Sequence, residues 1–412
     1  MTTATLQPLG QVKKDSYVGD FVFGLQGQTG IGTAKDKGFG HVHKDWYAKT
    51  LSYDEGQKKL EEGKSETEDI ICGLDDMVAK ADANGRFGFQ YVDGRMFYPT
   101  EHAVEQGGTK FGTGTTYAKM LFDRDALGDG AALAYAFEHG KSVLKTVIKE
   151  SKRKQEKFLF RTRKDGSLRA IMTAGYAIID NRWFLDLIKK IIPSGRLSHW
   201  RGDSDTIFGN VLIPDTIRAE DDSDYGGMVS IGNCEIGTRS MLNMPSVFRA
   251  ICMNGCIWDQ EVGKGIKQVH RGKINLKELA VKITDNIEKQ IPLLPAGIQR
   301  MLGVRAFKED INAKPLVGQL ALDYKFSKTQ ATKVLGAYAT EARIAPQYNK
   351  TLFNLVNAVT RAGQEMDNAD WLRCDMVAGE LVNFDANDWS SLTGRAARLK
   401  ADTVDELFAA VA

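Results

Sequence analysis

The sequence has little of what marks secreted or membrane-spanning proteins. Five cysteines in 412 residues are too few, and odd in number, for a disulfide framework. No stretch approaches the ~20 apolar residues that a membrane-spanning helix needs. The residues from Met1 to Pro8 have neither a basic region nor an apolar segment, so no signal peptide is predicted. We therefore expect free thiols, no membrane partner and a cytoplasmic location.

The chain also lacks a strong excess of charge of either sign. Its 55 basic and 53 acidic residues give a net charge of +2, which argues against a histone-like, DNA-condensing protein. This balance leaves room for a local basic patch. Hydrophobic residues make up 42% of the chain and charged residues 26%, as in ordinary globular proteins.

Enzyme motifs are incomplete throughout the sequence. The Gly-rich segment 27–33 resembles a phosphate loop, but Thr33 stands where the loop needs a lysine. The segment 112–114 has two of the three glycines of a dinucleotide fingerprint. We find no serine nucleophile elbow and no His-Glu-x-x-His motif, and we predict no catalytic residue and no cofactor.

The candidate metal ligands do not form a complete set either. His41 and His43 lack a third ligand that the sequence can assign. Asp221, Asp222 and Asp224 are typical of a solvated acidic loop. We predict no metal site. A metal-dependent enzyme that uses His43, Asp221 or Asp222 is kept as a third alternative for the function.

The first part of the chain divides into two predicted regions. Residues 1–50 form a Gly-rich arm. Residues 51–157 form a mainly helical region, with helices at 53–83, 100–122 and 129–157. A hairpin at 87–98 turns at Asp93-Gly94.

The second part is predicted to hold an α+β core domain, 158–291, and a helical C-terminal region, 292–412. The core begins with a hairpin that turns at Asp165-Gly166, followed by a helix from Asp180 or Asn181 to Pro193. Residues 205–262 are mostly β, with a tight turn at Asn254-Gly255. The predicted fold is α+β, with a central, mostly antiparallel sheet at about residues 156–262 flanked by helices.

The strongest local signal is a basic segment between Lys141 and Lys164. It holds ten basic residues, opposed only by Glu150 and Glu156. Lysines at 141, 145, 149 and 152 share one helix face. Arg161 and Arg163 are two apart on a strand and point the same way, whereas a two-residue turn pairs Arg169 with Thr162 and puts it on the face away from Arg161. A solvated helix face followed by an ordinary strand explains this pattern equally well.

Together these residues predict a surface that follows a phosphate backbone, with aromatic rings nearby to stack on bases. The candidate nucleic-acid-binding residues are Lys145, Lys149, Lys152, Arg153, Lys154, Lys157, Arg161, Arg163, Lys164, Arg169, Tyr176 and Trp183.

Three segments resemble the phage and plasmid-like proteins of the "domain of unknown function 932" type. The first carries Arg161, Thr162, Asp165, Gly166, Arg169, Ala170, Tyr176, Asp180 and Asn181. The second, 230–255, carries Arg249, Cys252, Asn254 and Gly255, and the third is the helix-like segment 351–360. The likeness extends over roughly residues 95–385. Where that family commonly has Ser-Asp-Arg before the tyrosine, this chain has Thr173-Ala174-Gly175.

The resemblance implies a phage, prophage or mobile-element origin and brings no catalytic residues with it. It also implies a link to recombination or single-strand annealing, through the genes that accompany such proteins. The leading hypothesis is a homo-oligomeric protein that binds or anneals single-stranded DNA. The alternative is a structural, assembly or host-interaction protein that binds no nucleic acid.

Overall fold

The computed structural model describes residues 50–62, 66–125, 130–150, 157–218, 224–249, 254–257 and 265–409. Its strands form two sheets. The first sheet contains β1 (Thr67–Cys72), β2 (Met77–Ala81), β3 (Phe87–Tyr91), β4 (Met96–Pro99), β5 (Phe158–Arg163) and β6 (Ser167–Thr173). The second contains β7 (Arg196–Gly202), β8 (Thr206–Arg218), β9 (Asp224–Cys234), β10 (Met241–Arg249), β11 (Asn254–Ile257) and β12 (Ile266–Gln268).

The first sheet is curled. Its strand order is β1-β5-β6-β4-β3-β2, so the two strands at its edges follow each other in the chain. The five Cα–Cα steps from Cys72 to Met77 reach at most about 18 Å. A flat sheet of six strands would separate its edges by about 24 Å. The short connection is therefore possible only because the sheet bends round on itself.

The concave side of the first sheet is filled by phenylalanines and three helices. Phe89, Phe137 and Phe160 meet edge to face, with ring centroids 5.5 to 6.1 Å apart. The helices are α2 (Glu101–Lys110), α3 (Thr115–Asp125) and α4 (Gly130–Glu150). Gly112 and Gly114, both with positive φ, end α2 and start α3, so the helix predicted at 100–122 is two helices.

The second sheet has the order β11-β10-β9-β8-β7, with β12 also paired to β10, and all its pairs are antiparallel. Its helices are α1 (Tyr53–Glu61), α5 (Asn181–Ile191), α6 (Leu276–Gln290), α7 (Leu294–Gly303), α8 (Ala313–Asp323), α9 (Lys328–Ile344), α10 (Leu352–Gln364), α11 (Asn368–Val382), α12 (Ala386–Ala397) and α13 (Ala401–Phe408). One large apolar core joins this sheet to most of these helices.

The α+β class, the strands within 205–262 and the helical C-terminal region are confirmed. The hairpins at Asp93-Gly94 and Asp165-Gly166 are also confirmed, and both glycines have the positive φ that such turns need. None of the described helices has the length and apolar character of a membrane span. The predicted Gly-rich arm, apart from residue 50, lies outside the described residues.

The helix predicted at 53–83 is wrong. Only Tyr53–Glu61 is helical, and β1 and β2 follow it. In β1, Ile70 and Cys72 face the core while Ile71 is 56% exposed. This two-residue alternation competes with the helical spacing of the same apolar residues, and the β-branched isoleucines favour the strand.

The turn predicted at Asn254-Gly255 is also wrong. Both residues lie in β11, where they pair with Arg249 and Phe248. The two residues therefore belong to a strand and not to a turn.

The first sheet also takes strands from both sides of the expected boundary at 157/158, since β5 lies between β1 and β6. Antiparallel pairing to β1 gives residues 158–173 a core in common with the preceding region.

Candidate nucleic-acid interface

The basic face predicted on the helix is largely neutralised by local partners. The Lys141 side chain is only 2% exposed, and its ammonium group donates to Met77 O and to Glu138. Lys145 forms an ion pair with Asp75. Lys149 lies exposed at the end of α4. Lys152, Arg153 and Lys154 fall outside the described residues.

The arginines of the β5–β6 hairpin are not on the surface, contrary to expectation. Arg161 and Arg169 are each 1% exposed. A β-bulge accounts for the position of Arg169, because Arg161 pairs with Ala170 while Thr162 pairs with Leu168. Arg169 is the additional residue of the bulge and reaches the same side as Arg161. The predicted pairing of Arg169 with Thr162, and its position away from Arg161, are therefore wrong.

Both arginines meet Glu235, which follows β9 of the second sheet. The Glu235 Oε2 atom lies 3.5 Å from Arg161 Nη1 and 3.2 Å from Arg169 Nη1. Arg169 also donates to Asp205 at 2.7 Å, and Arg161 donates to Asp69 at 3.0 Å. We call this set the arginine network. It comprises Arg161, Arg163 and Arg169 with Asp69, Asp205 and Glu235.

The pKa values of Asp205 and Glu235 are shifted in opposite directions. Burial disfavours the charged form of Asp205, yet Arg169 and Arg163 outweigh it and lower the pKa of that carboxyl. Burial raises the pKa of Glu235, although Arg161 and the amide of Asn181 act in the opposite direction. Both carboxyl groups have their charge partners inside the protein.

The arginine network is part of the contact between the two sheets. Tyr176 Oη, Arg161 Nη1 and Gln106 Nε2 donate in turn to the three carbonyl oxygens of segment 234–236, each at 2.8 Å. The Glu235 carboxylate accepts from the amide of Asn181 at 2.8 Å. Residues from the first and second segments of the phage-family resemblance therefore meet here. The arrangement fixes the hairpin to the end of β9, and its guanidinium groups are not available to a phosphate backbone.

The remaining predicted residues occupy three settings. Lys164 is exposed but forms an ion pair with Glu66. Trp183 is half-buried and packs against the large core. Lys157 is exposed just before β5, and Tyr176 is half-buried beyond β6. The strand ends beside these two residues are joined, because the amide of Ala174, two residues before Tyr176, donates to Lys157 O at 3.2 Å.

Tyr176 stacks on a histidine that the sequence analysis did not single out. The rings of Tyr176 and His270 lie 5.0 Å apart with an interplanar angle of 2°. His270 Nδ1 lies 3.0 Å from Ala177 O. A carbonyl oxygen only accepts, so Nδ1 carries the proton, and burial lowers the pKa of the imidazole. His270 is therefore a neutral aromatic partner at neutral pH.

Exposed cations follow directly on His270. Tyr176 forms a β-bridge with Arg271, and the amide of Gly272 donates to Gly175 O at 3.0 Å. Arg271 and Lys273 are exposed, and neither forms an ion pair with another described residue. We call this region the Tyr176 surface. It comprises Lys157, Tyr176, His270, Arg271 and Lys273.

A signal for these cations was present in the sequence. Between Val262 and Lys277 there are five basic residues and no acidic one. The segment is shorter than the one at 141–164 and holds half as many basic residues. The β-bridge from Arg271 to Tyr176, which brings the two segments together, is set by tertiary structure.

Few of the residues considered above for catalysis or metal binding lie in the described part of the chain. Within the described residues no group of three or more His, Cys, Asp or Glu side chains could hold a metal ion. Gly112-Thr-Gly114 is a connection between α2 and α3. His41, His43, Asp221, Asp222 and the segment 27–33 lie outside the described residues.

Comparison of the chain with protein families, with curated proteins and with solved structures gave no match, so the resemblance to the phage family stays a prediction.

Proposed function

We propose that this chain binds nucleic acid, single-stranded DNA in particular, through the Tyr176 surface. One observation carries the proposal: Lys157, Arg271 and Lys273 are exposed cations with no ion-pair partner among the described residues, grouped around a stacked aromatic pair. A groove of cations beside aromatic rings is the usual arrangement for binding single strands without sequence preference.

Lys277 is a further exposed cation close to Lys273 in the chain. It is the second residue of α6, and Glu278 supplies the acidic residue of that first turn.

The proposed setting is the cytoplasm of a bacterial host, during phage or mobile-element DNA metabolism. This setting comes from the family resemblance. The proposal requires no catalytic residue, metal or cofactor, since annealing of complementary strands needs only that bases and phosphates be held.

Fluorescence anisotropy tests the proposal with the full-length chain. A labelled oligonucleotide and its duplex are titrated at low and at near-physiological salt. We expect binding that favours the single strand and weakens steeply as salt rises. Absence of binding to either form at low salt would contradict the proposal.

A second candidate function is assembly of the chain into a homo-oligomer. The observation that favours it is an exposed apolar stripe on α4, where Tyr135 is 76%, Val143 50% and Val147 52% exposed. The ring of His139 stacks on Tyr135 and extends the stripe by one turn. Apolar rows of this kind on a helix mark protein contacts, and we propose a second copy of the chain as the partner.

Light scattering coupled to size-exclusion chromatography tests this second candidate. Val143→Glu with Val147→Glu should shift an oligomer to the monomer mass, because two carboxylates would be buried at the contact. Val281 on α6 is 59% exposed and stands alone, so Val281→Glu is the matched control and should leave the mass unchanged. A wild-type chain that is monomeric at micromolar concentration would contradict the candidate.

A further inference from the structure

A cleft lies between the C-terminal ends of α7 and α11. Its volume is about 530 Å³, within the range of about 300–1,000 Å³ that is usual for small-molecule sites. The described residues that line it are Arg300, Gly303, Val304, Phe307, Val382, Asn383 and Phe384. This set is mainly apolar, with one cation and one amide, and no described side chain that lines the cleft is acidic. None of these residues belongs to the Tyr176 surface or to the arginine network.

The apolar part of the cleft is held in place by the large core. Val304 and Val382 are each 2% exposed and belong to that core. Phe307 and Phe384 are half-buried and pack against it, and the amide of Phe384 donates to Leu381 O at 3.1 Å. An apolar ligand that enters the cleft therefore meets side chains that the fold already positions, so little ordering is required on binding.

The polar part of the cleft is a positioned guanidinium group. Arg300 is exposed in the last turn of α7, and its Nη1 atom donates to Asn383 Oδ1 at 2.8 Å. Asn383 is itself fixed, because its Nδ2 atom donates to Gly379 O at 3.0 Å. A guanidinium group carries five N–H donors in a planar fork that matches the two oxygens of a carboxylate. Arg300 does not have to give up its bond to Asn383 in order to bind one.

The acceptors at this end of α11 already have donors within the chain. The carbonyl oxygens of residues 379–381 each accept a hydrogen bond from Asn383 or Phe384. Asp385 follows Phe384 directly, and its carboxylate caps α12 by accepting from two backbone amides, at 2.7 and 2.8 Å. Among the described residues that line the cleft, the charged side chain is that of Arg300, which favours an anionic ligand over a cationic one.

We infer that this cleft binds a small organic acid, with the apolar body of the acid against Phe307 and Phe384 and its carboxylate at Arg300. A flat aromatic body suits the two phenylalanine rings, which it meets face to edge or in an offset stack. The ligand class is therefore an aromatic carboxylate. The cleft shares no described residue with the Tyr176 surface, so the inference goes beyond the proposed function and does not depend on it.

Isothermal titration calorimetry with the full-length chain tests the inference through two probes of similar shape. Cinnamate carries the carboxylate, and cinnamamide is its neutral counterpart. We expect cinnamate to bind about tenfold more tightly, the gain that a charge-assisted hydrogen bond gives. Acetate, which lacks the apolar body, should bind more weakly than cinnamate. Equal affinities for cinnamate and cinnamamide, equal affinities for cinnamate and acetate, or no binding of cinnamate at millimolar concentration would each overturn the inference.

A variant of Arg300 places the effect in the cleft. Arg300→Gln removes the charge and keeps a side chain that can form hydrogen bonds, so cinnamate should bind to it about as weakly as cinnamamide. Arg343→Gln is the matched control, because Arg343 is also exposed in the last turn of a helix, α9, and donates to a neutral side chain, that of Thr340. This control should bind cinnamate like the wild type.

Two outcomes with these variants would contradict the inference. Unchanged affinity of Arg300→Gln for cinnamate would show that Arg300 does not hold the carboxylate. An equal loss in Arg343→Gln would show that the acid responds to overall charge and not to the cleft. The comparison of cinnamate with cinnamamide on the wild-type chain needs no variant and stands even if Arg300→Gln does not fold.

Discussion

Two basic segments of this chain differ in how many of their cationic side chains form ion pairs within the protein. In the segment 141–164, Lys141, Lys145 and Lys164 each have an acidic partner, and Arg161 is buried in the arginine network. In the segment 262–277, Arg271 and Lys273 are exposed without an ion-pair partner in the described part of the chain. Most of the described cations in the denser segment therefore have partners within the protein, whereas Arg271 and Lys273 of the sparser segment do not. A count of charges in the sequence does not reveal this difference.

The largest expected effect comes from breaking the arginine network. Arg169→Met leaves Glu235 and Asp205 buried with less compensation, and one broken partner of a buried ion pair costs about 3–5 kcal/mol. We expect a loss of this size in the free energy of unfolding, measured in urea.

Lys164→Met is the matched control, because it breaks the exposed ion pair with Glu66. Its urea midpoint should stay at the wild-type value. An Arg169→Met protein as stable as the wild type would show that the arginine network does not hold the two sheets together.

A smaller effect concerns the histidine below the Tyr176 surface. Burial lowers the pKa of His270 in the folded state, so the unfolded chain binds its proton more readily. Its contribution to stability is complete above the unfolded pKa of about 6.5 and is lost as pH falls through the lower folded pKa. Thermal unfolding between pH 7.5 and 5 should show this loss.

His270→Gln should remove that part of the pH dependence, because glutamine does not titrate in this range. Glu235, whose pKa is raised by burial, is present in both proteins and provides the common background. If both proteins lose stability in parallel between pH 7 and 5.5, His270 does not titrate as its burial requires.

The smallest effect comes from releasing a paired lysine. Asp75→Asn removes the carboxylate that meets Lys145 on α4. One freed cation should raise affinity for a single strand by at most a few-fold at low salt, and only if α4 lies near the bound strand. Anisotropy at low salt measures this. A gain as large as the loss caused by removing Arg271 would put α4 at the centre of the site.

Local patterns predicted the elements whose signal lies within a few residues. The Asp165-Gly166 turn and the helix ending before Pro193 were both placed correctly. The positive φ of Gly166 and the lack of a backbone N–H at Pro193 act on the chain locally. The helix predicted at 53–83 was wrong because the helical spacing of Ile70, Ile71, Leu74 and Met77 competes with the alternation seen in β1. Only pairing with β5 decides between the two.

Only part of the candidate site could be predicted from the sequence. Lys157 and Tyr176 were both among the predicted residues, and they lie at the joined ends of the strands of one hairpin. Glu235 and His270 are distant in sequence from the hairpin, and no periodicity links them to it. The bulge at Arg169 also has no signature of its own, and it turns that side chain towards Glu235. These positions follow from the contact between the two sheets.

The most direct test of the account compares two triple variants that each remove three positive charges. Lys157, Arg271 and Lys273 are replaced by alanine in one. Lys145, Lys164 and Arg182, which pair with Asp75, Glu66 and Glu61, are replaced in the other. We expect the first triple variant to reduce the steepness of log affinity against log salt by about 2 for single-stranded DNA, and the second to leave it unchanged. An equal or larger change in the second triple would contradict it.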